Sequence, residues 1–243
     1  MQHFCDRTFR KEEYMRKINV IKGDILFQWK YGFYLLYFIL VVLYLAFFSY
    51  LDGEVKNAVV TICVLSDPAA MGLFFMGALI LLEKSQRVTD AIAVSPVSPG
   101  EYIAGKVISI GMISLLAGLV LTHQGNLSRV LCSSIGILGG SVLFSLCGII
   151  VGTKAENMNQ YIVGTLPFEI LGFIPAIAYR LGFQQDNPWM LIHPGCALVR
   201  LMDGNMEMML LSVISVLTWC IIFFVPAYAA VKKMFCTTGK IKL

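Results

Sequence analysis

The chain has 243 residues, of which 58% are hydrophobic and 14% charged, with a formal net charge of +4 and a mean hydropathy of +0.76. Soluble domains carry about 25% charged residues, so a water-soluble globule is excluded, and the same hydrophobicity excludes a disordered chain. Six spans of about 20 apolar residues would fill roughly half the length, so the fold class expected is an all-α polytopic membrane protein.

In chain order, residues 1–32 read as a basic tail and an interfacial elbow helix. Tyr14, Ile18, Ile21 and Ile25 recur at helical spacing, while Lys11, Glu12, Glu13, Arg16, Lys17 and Lys22 take much of the remaining surface, an interfacial amphipathic pattern. Gly23 followed by Asp24 predicts a helix stop and a new N-cap there, with Trp29, Tyr31 and Tyr34 at headgroup depth. The first span, 33–50, is too extended for a cleaved signal and reads as an uncleaved anchor. A second span over 59–82 carries Asp67 before Pro68.

The connection 83–106 reads as two helices joined by a stiff proline piece. Residues 87–94 make about two turns with Val88, Ala91 and Ile92 on one face, and Pro96 ends them by disfavouring helical geometry at Ser95. Ser98 and Glu101 form a capping box, with Pro99 at the first helical position. A third span therefore starts near Pro99 and reaches Thr122, 24 residues or about 36 Å, with Lys106 expected to snorkel to the headgroups. The fourth span, 130–152, places Gly136, Gly140, Gly148 and Gly152 at spacings of four or eight, a helix-packing pattern whose neighbour lies either in this chain or in a second copy. The fifth, 161–179, carries Glu169 between Pro167 and Pro175 and predicts a broken helix lining a cavity.

Between the fifth span and the sixth, residues 180–207 contain two helix starts, Asn187-Pro188 and His193-Pro194, and an end at Asp203-Gly204. The apolar pieces are too short to cross, so re-entrant or interfacial helices are expected, with Trp189 at the interface. The sixth span covers 208–231 and a basic tail 232–243 follows, so the six-helix domain is 33–231. Fifteen of the 19 Lys and Arg lie in alternate connections and the two ends, against Lys56, Arg129, Arg180 and Arg200 on the other side, which places both termini in the cytoplasm.

Few motifs point to chemistry. Gly100, Gly105 and Lys106 match a phosphate-loop spacing, but position 107 is Val where a hydroxyl should hold magnesium, and the glycines fall inside a membrane-entering helix. Cysteines 5, 63, 132, 147, 196, 220 and 236 are odd in number, lack a CxxC and read as small buried residues. Histidines 3, 123 and 193 have no metal spacing, and no GxSxG hydrolase elbow occurs. Asn126 with Ser128 fits a sequon. Asp67 and Glu169 are the carboxylates deep in the spans, and intramembrane charges are candidates for a substrate path because they are costly to bury; Asp67, followed by Pro68, better suits a structural role at a helix break, while for Glu169 both readings stand.

The run 66–107, SDPAAMGLFFMGALILLEKSQRVTDAIAVSPVSPGEYIAGKV, resembles the membrane subunit of ATP-binding cassette type 2 exporters, in particular the fluoroquinolone-type permeases. The likeness lies in order: Glu83-Lys84 ends the second span, ASPVS covers 93–98 with its intervening Val94, and Gly105-Lys106 enters the third. The run GDILFQWKYGFYLLY, 23–37, is similar to that family's approach to its first span. The resemblance implies a permease that pairs with itself or a related permease in the bilayer and docks cytoplasmic ATPase subunits. ATP and magnesium would then be held by the partner, with no cofactor, metal or catalytic residue in this chain and no tie to nucleic acid.

The resemblance further implies that 83–98 is the coupling segment, with Glu83, Arg87, Val88, Asp90, Ala91 and Ile92 as the ATPase contacts. It makes the residues before Phe33 the elbow and 187–203 the external re-entrant helices. The expected cargo is drug-like, lipid-like or peptide, moved outward across a bacterial plasma membrane. Two alternatives stand beside this reading. One is an ion-coupled secondary transporter using Glu169 and Asp67, for which no inverted repeat is evident; the other is a non-transporting anchor or sensor.

Overall fold

The computed structural model describes residues 2–122, 127–204 and 207–238, with side chains described from 15 onward except at 68 and 238. His3, Cys5, the charged residues before Tyr14, Tyr14 itself, His123 and Asn126 of the sequon fall outside the described side chains. Among the described residues the fold is helical without strands: α1 Gln2–Lys30, α2 Phe33–Phe48, α3 Gly53–Val64, a π turn Leu65–Ala69, α4 Met71–Ser85, α5 Val88–Ala93, α6 Pro99–Thr122, α7 Leu127–Gly152, α8 Met158–Arg180, a 3₁₀ turn Pro188–Ile192, α9 Pro194–Met202 and α10 Met209–Thr238.

Five segments are long and apolar enough to cross a bilayer: Gly53–Ser85, Pro99–Thr122, Leu127–Gly152, Met158–Arg180 and Met209–Thr237. A sixth follows if Met15–Lys30 and Phe33–Phe48, bent by 65°, count as one. The chain is thus an all-α, multi-pass membrane protein. The third span begins at Pro99 as its capping box requires: the Ser98 N–H donates to Glu101 Oε2 at 2.8 Å and the Glu101 N–H to Ser98 Oγ at 3.2 Å, satisfying two donors that a helix start otherwise leaves unpaired.

Four expectations are corrected. The elbow does not break at Gly23 and Asp24, because α1 runs on to Lys30 and the bend falls at Gly32, whose φ of 75° is one that a residue with a Cβ avoids. The second crossing starts earlier than 59, at Gly53, and contains the π turn Leu65–Ala69, the usual way an extra residue is absorbed into a helix. Both Pro167 and Pro175 sit inside an unbroken α8, so the fifth span is one helix. The 232–243 tail is helical as far as Thr238, a continuation of α10.

At the centre stands α7, packed by α4, α6, α9 and α10. Its glycines answer the neighbour question in favour of this chain. A Cβ on Gly136 would press Leu201 and Met202, one on Gly140 would press Ala69, one on Gly148 would lie 2.6 Å from the Gly72 carbonyl, and one on Gly152 would meet Ile80. With no hydrophobic effect to join helices inside lipid, this close approach is what holds them. Exposed Leu, Ile, Val and Phe on α2, α8 and α10 are the lipid-facing surface. Between α8 and α10, α9 is buried along nearly its whole length, as a re-entrant helix must be.

The tightest approach is between α4 and α7, where a Cβ on Gly72 would fall 1.9 Å from Ser145 Oγ and 2.6 Å from Ser145 Cα. Gly72→Ala should therefore cost about 1–3 kcal/mol through overpacking, read as a lowered midpoint of thermal unfolding in detergent, whereas Gly23→Ala, with open space around it, should not lower it.

Candidate functional site

At the Lys/Arg-rich end of the bundle, residues far apart in sequence converge on Lys106. Its ammonium is 1% exposed and lies 2.6 Å from Asp24 Oδ1 of α1, and it also pairs with Glu83 Oε1 of α4. The Tyr102 hydroxyl donates to Glu83 Oε2 at 2.8 Å, while the Lys106 ammonium sits 5.0 Å from the Tyr102 ring centroid. Lys106 therefore does not snorkel. It stays inside because two carboxylates meet it there, which offsets the several kcal/mol that burying an unpaired ion would cost.

The adjacent residues explain how three helices come close enough. Gly105 has no side chain where a Cβ would lie 2.7 Å from Val20 Cγ1 and 2.8 Å from Asp24 Oδ2. The face of α1 that meets α6 is polar: Arg16 donates to Glu101 at 2.8 Å, Asp24 takes Lys106, and Gln28 Nε2 donates to Ser109 Oγ at 2.8 Å. Lys84 points the other way and donates to the carbonyls of Gly152, Thr153 and Ala155 at 2.9–3.0 Å, capping the end of α7 with a cation where the helix dipole favours one. Glu83 and Gly105-Lys106, some 20 residues apart, are thus one cluster, while Lys84 is turned to the end of α7.

Beside it lies α5. Arg87 precedes it in the left-handed region at φ 57°, and Gln86 donates to the Tyr31 hydroxyl near the elbow bend. The short helix packs on α4 and α10, with Ile92 half-buried against the apolar cluster to which Tyr102, Val231 and Met234 belong. Of the residues expected to face a partner, Arg87 and Ala91 are exposed, Val88, Asp90 and Ile92 are half-buried, and Glu83 is 2% exposed with both oxygens engaged. Glu83 turns inward because Lys106 and Tyr102 hold it. Val94, 80% exposed, was not among those expected; the turn after α5 carries it outward.

The two mid-membrane carboxylates are not joined by any hydrogen bond or ion pair. Asp67, in the π turn, accepts from the Tyr44 hydroxyl and from Ser66 Oγ at 3.4 Å. Glu169, on α8, is half-buried. At the opposite end Asp203 ties the α9 hairpin down: Thr61 donates to Oδ1 at 2.6 Å, Arg180 Nε lies 3.0 Å from Oδ1, and Arg129 Nε donates to its carbonyl at 3.1 Å. Burial raises the Asp203 carboxyl above its ordinary range, against the pull of Thr61 and the arginines, and burial lowers the His193 imidazole. Among the described residues no cluster of three or more His, Cys, Asp or Glu is placed to hold a metal.

These features define a helical membrane protein whose polar machinery lies at the ends of its spans. No family model matches the chain. Two curated relatives from strains of Mycobacterium tuberculosis, each named a fluoroquinolones export permease protein, are 27% identical to it over 119 residues, covering 48% of this chain and 50% of theirs. The chain spans about half the length of the curated relatives it matches, and their likeness supports the fluoroquinolone-type permease resemblance carried by 66–107.

Lys106→Met should destabilise the protein by about 3–5 kcal/mol, since it leaves two buried carboxylates without a counter-charge. Asp24→Asn should cost less, because Lys106 keeps Glu83. The combined Asp24→Asn, Glu83→Gln, Lys106→Met variant should recover most of the Lys106→Met loss. Thermal unfolding in detergent ranks the three.

Proposed function

We propose that this chain is the membrane-spanning permease subunit of an ATP-binding cassette exporter, driven by a separate cytoplasmic ATPase subunit that binds ATP and magnesium and presses on α5. The observation that carries this reading is the placement of α5: a six-residue helix braced on α4 and α10, with Arg87, Ala91 and Val94 exposed, next to the Lys106 cluster. A force on α5 passes into α4, and through Glu83 and Lys106 into α6 and α1, so those segments move together. The bilayer in question is the cell's plasma membrane, with both termini inside. The permease works as a pair with a second copy or a related chain. The cargo is a drug-like amphiphile, the class to which the name of the relatives points.

The energy source in this reading is ATP hydrolysis in the partner subunit. Cargo biases the outward and inward states only as far as it binds one better than the other. A second reading rests on Glu169, a half-buried intramembrane carboxylate, which would suit an ion-coupled carrier.

Arg87→Glu combined with Ala91→Glu should reverse and crowd the docking surface, reducing co-purification of a co-expressed ATPase subunit by about tenfold and lowering efflux in step, while the chain still inserts and elutes as a folded species. Unchanged co-purification and efflux would contradict the contact surface. Efflux that collapses with an ionophore and persists without ATP would favour the carrier.

A further inference from the structure

The turn that joins the re-entrant helix to the last span is rich in thioethers. Four of the chain's 12 methionines, Met202, Met206, Met208 and Met209, fall within eight residues, and apolar packing alone gives no reason for methionine over leucine at each of them. Met202 closes α9 and Met209 opens α10. Across from them on α7 stands Cys132, 1% exposed and not part of a disulfide, with its Sγ 3.6 Å from Met209 Sδ. Met202 enters the same face of α7. A Cβ on Gly136, one helical turn along from Cys132, would lie 3.1 Å from Met202 Cγ, and the Met202 carbonyl accepts from Ser133 Oγ at 2.8 Å.

The backbone is bent to produce this arrangement. Met208 has a φ of 56°, a region that a residue with a Cβ occupies at a cost, and it is 45% exposed. One strained residue thus leaves its own thioether at the surface and turns the next one onto the buried thiol. The sulfur spacing fits two ligands of one ion, since sulfurs about 2.3 Å from a d¹⁰ cation and at a tetrahedral angle lie about 3.8 Å apart. Donor type then selects the ion. Thioether and thiolate are soft and favour Cu(I), whereas Zn(II) sites are built from thiolate, imidazole and carboxylate. The acids close by in sequence are engaged elsewhere: Asp203 by Thr61 and Arg180, and Glu207 by Arg200 at 3.5 Å.

We propose that Cys132 and Met209, with Met202 beside them, form a binding site for the soft monovalent cation Cu(I) at the end of the bundle opposite Lys106. On binding, the Cys132 thiol gives its proton to the medium and its sulfur bonds to the ion, so the site carries no net charge. The exposed Met208 thioether is the point of entry. A bound ion joins α7, α9 and α10 at one point and pins the end of the re-entrant helix. The inference stands apart from the ATPase reading, because binding is measured on this chain alone.

The test uses the full chain in phosphatidylcholine nanodiscs under ascorbate, carrying Cys5→Ser and Cys236→Ser, titrated with Cu(I) against the chelator bathocuproine disulfonate. One Cu(I) retained per chain is expected, with a first shell of sulfur alone at about 2.3 Å by X-ray absorption, and an unfolding midpoint that rises with free Cu(I). Cys132→Ser and Met209→Leu, which keep the side-chain size, should each weaken retention at least about tenfold. Cys220→Ser, whose thiol lies on the Gly139 carbonyl, should bind as the parent does. A parent that retains no Cu(I), a first shell containing nitrogen or oxygen, or parental binding in either Cys132→Ser or Met209→Leu overturns the site, as does a loss in Cys220→Ser equal to that in Cys132→Ser.

Discussion

A single ammonium buried among two carboxylates and a phenol determines how the Lys/Arg-rich half of this protein is put together. Lys106 of α6 draws in Asp24 of α1 and Glu83 of α4, so two acids from different helices share one counter-charge. Without Gly105 the elbow helix stands off, without Asp24 and Glu83 the lysine has to reach for water, and without the lysine the acids repel. Such a cluster contributes little net stability compared with a well-packed apolar core, since desolvation consumes most of the Coulombic gain. What it supplies is register: α1, α4 and α6 have one arrangement in which the charges are satisfied, and the α5 turn is carried on that frame.

The two halves of the molecule are built differently. Near α5 the ties are ionic and discrete, and a displaced group has few other partners. Toward the opposite end the ties are Asp203 with its arginines and an apolar cluster in which Leu198, Val199 and Leu201 of α9 pack with Val64, Leu65 and Ile137. Between them lies the π turn at Leu65–Ala69, where Asp67 takes the Tyr44 hydroxyl. A helix with a bulge at mid-depth, polar on the inside of the bulge, is a natural place for the two ends to change angle with respect to each other.

Much of the fold was legible because membrane insertion makes strict demands on composition. Apolar runs located the crossings, and the Ser98–Glu101 box fixed the start of the third to the residue. The Asn187, His193 and Gly204 signals located the 3₁₀ turn and α9. Local signals failed where a partner distant in sequence decided the outcome. Gly23-Asp24 reads as a stop, yet Asp24 is held in a continuous helix by a lysine 82 positions on. Lys106 reads as a snorkelling cation, yet its acids come from two other helices. The clue was present in α1, where Arg16, Asp24 and Gln28 fall on one face at multiples of four, but an interfacial helix with a polar face is expected to turn that face to water. Pro167 and Pro175 read as breaks because proline removes a backbone donor, but α8 tolerates both. The residues expected as ATPase contacts follow the same pattern: Arg87 and Ala91 are exposed, and Glu83 is drawn inward by the cluster.

The most direct measurement is a pulsed electron-spin distance between labels placed by Lys22→Cys on the elbow helix and Arg87→Cys before α5, with Cys5 and Cys236 replaced. With the Lys106 cluster intact the distribution should be single and narrow. In Asp24→Asn, which leaves Lys106 its Glu83 partner but removes the charged tie between Lys106 and α1, it should broaden. A distribution equally narrow and centred at the same distance in both would contradict the view that Lys106 binds the elbow and the α5 frame into one body.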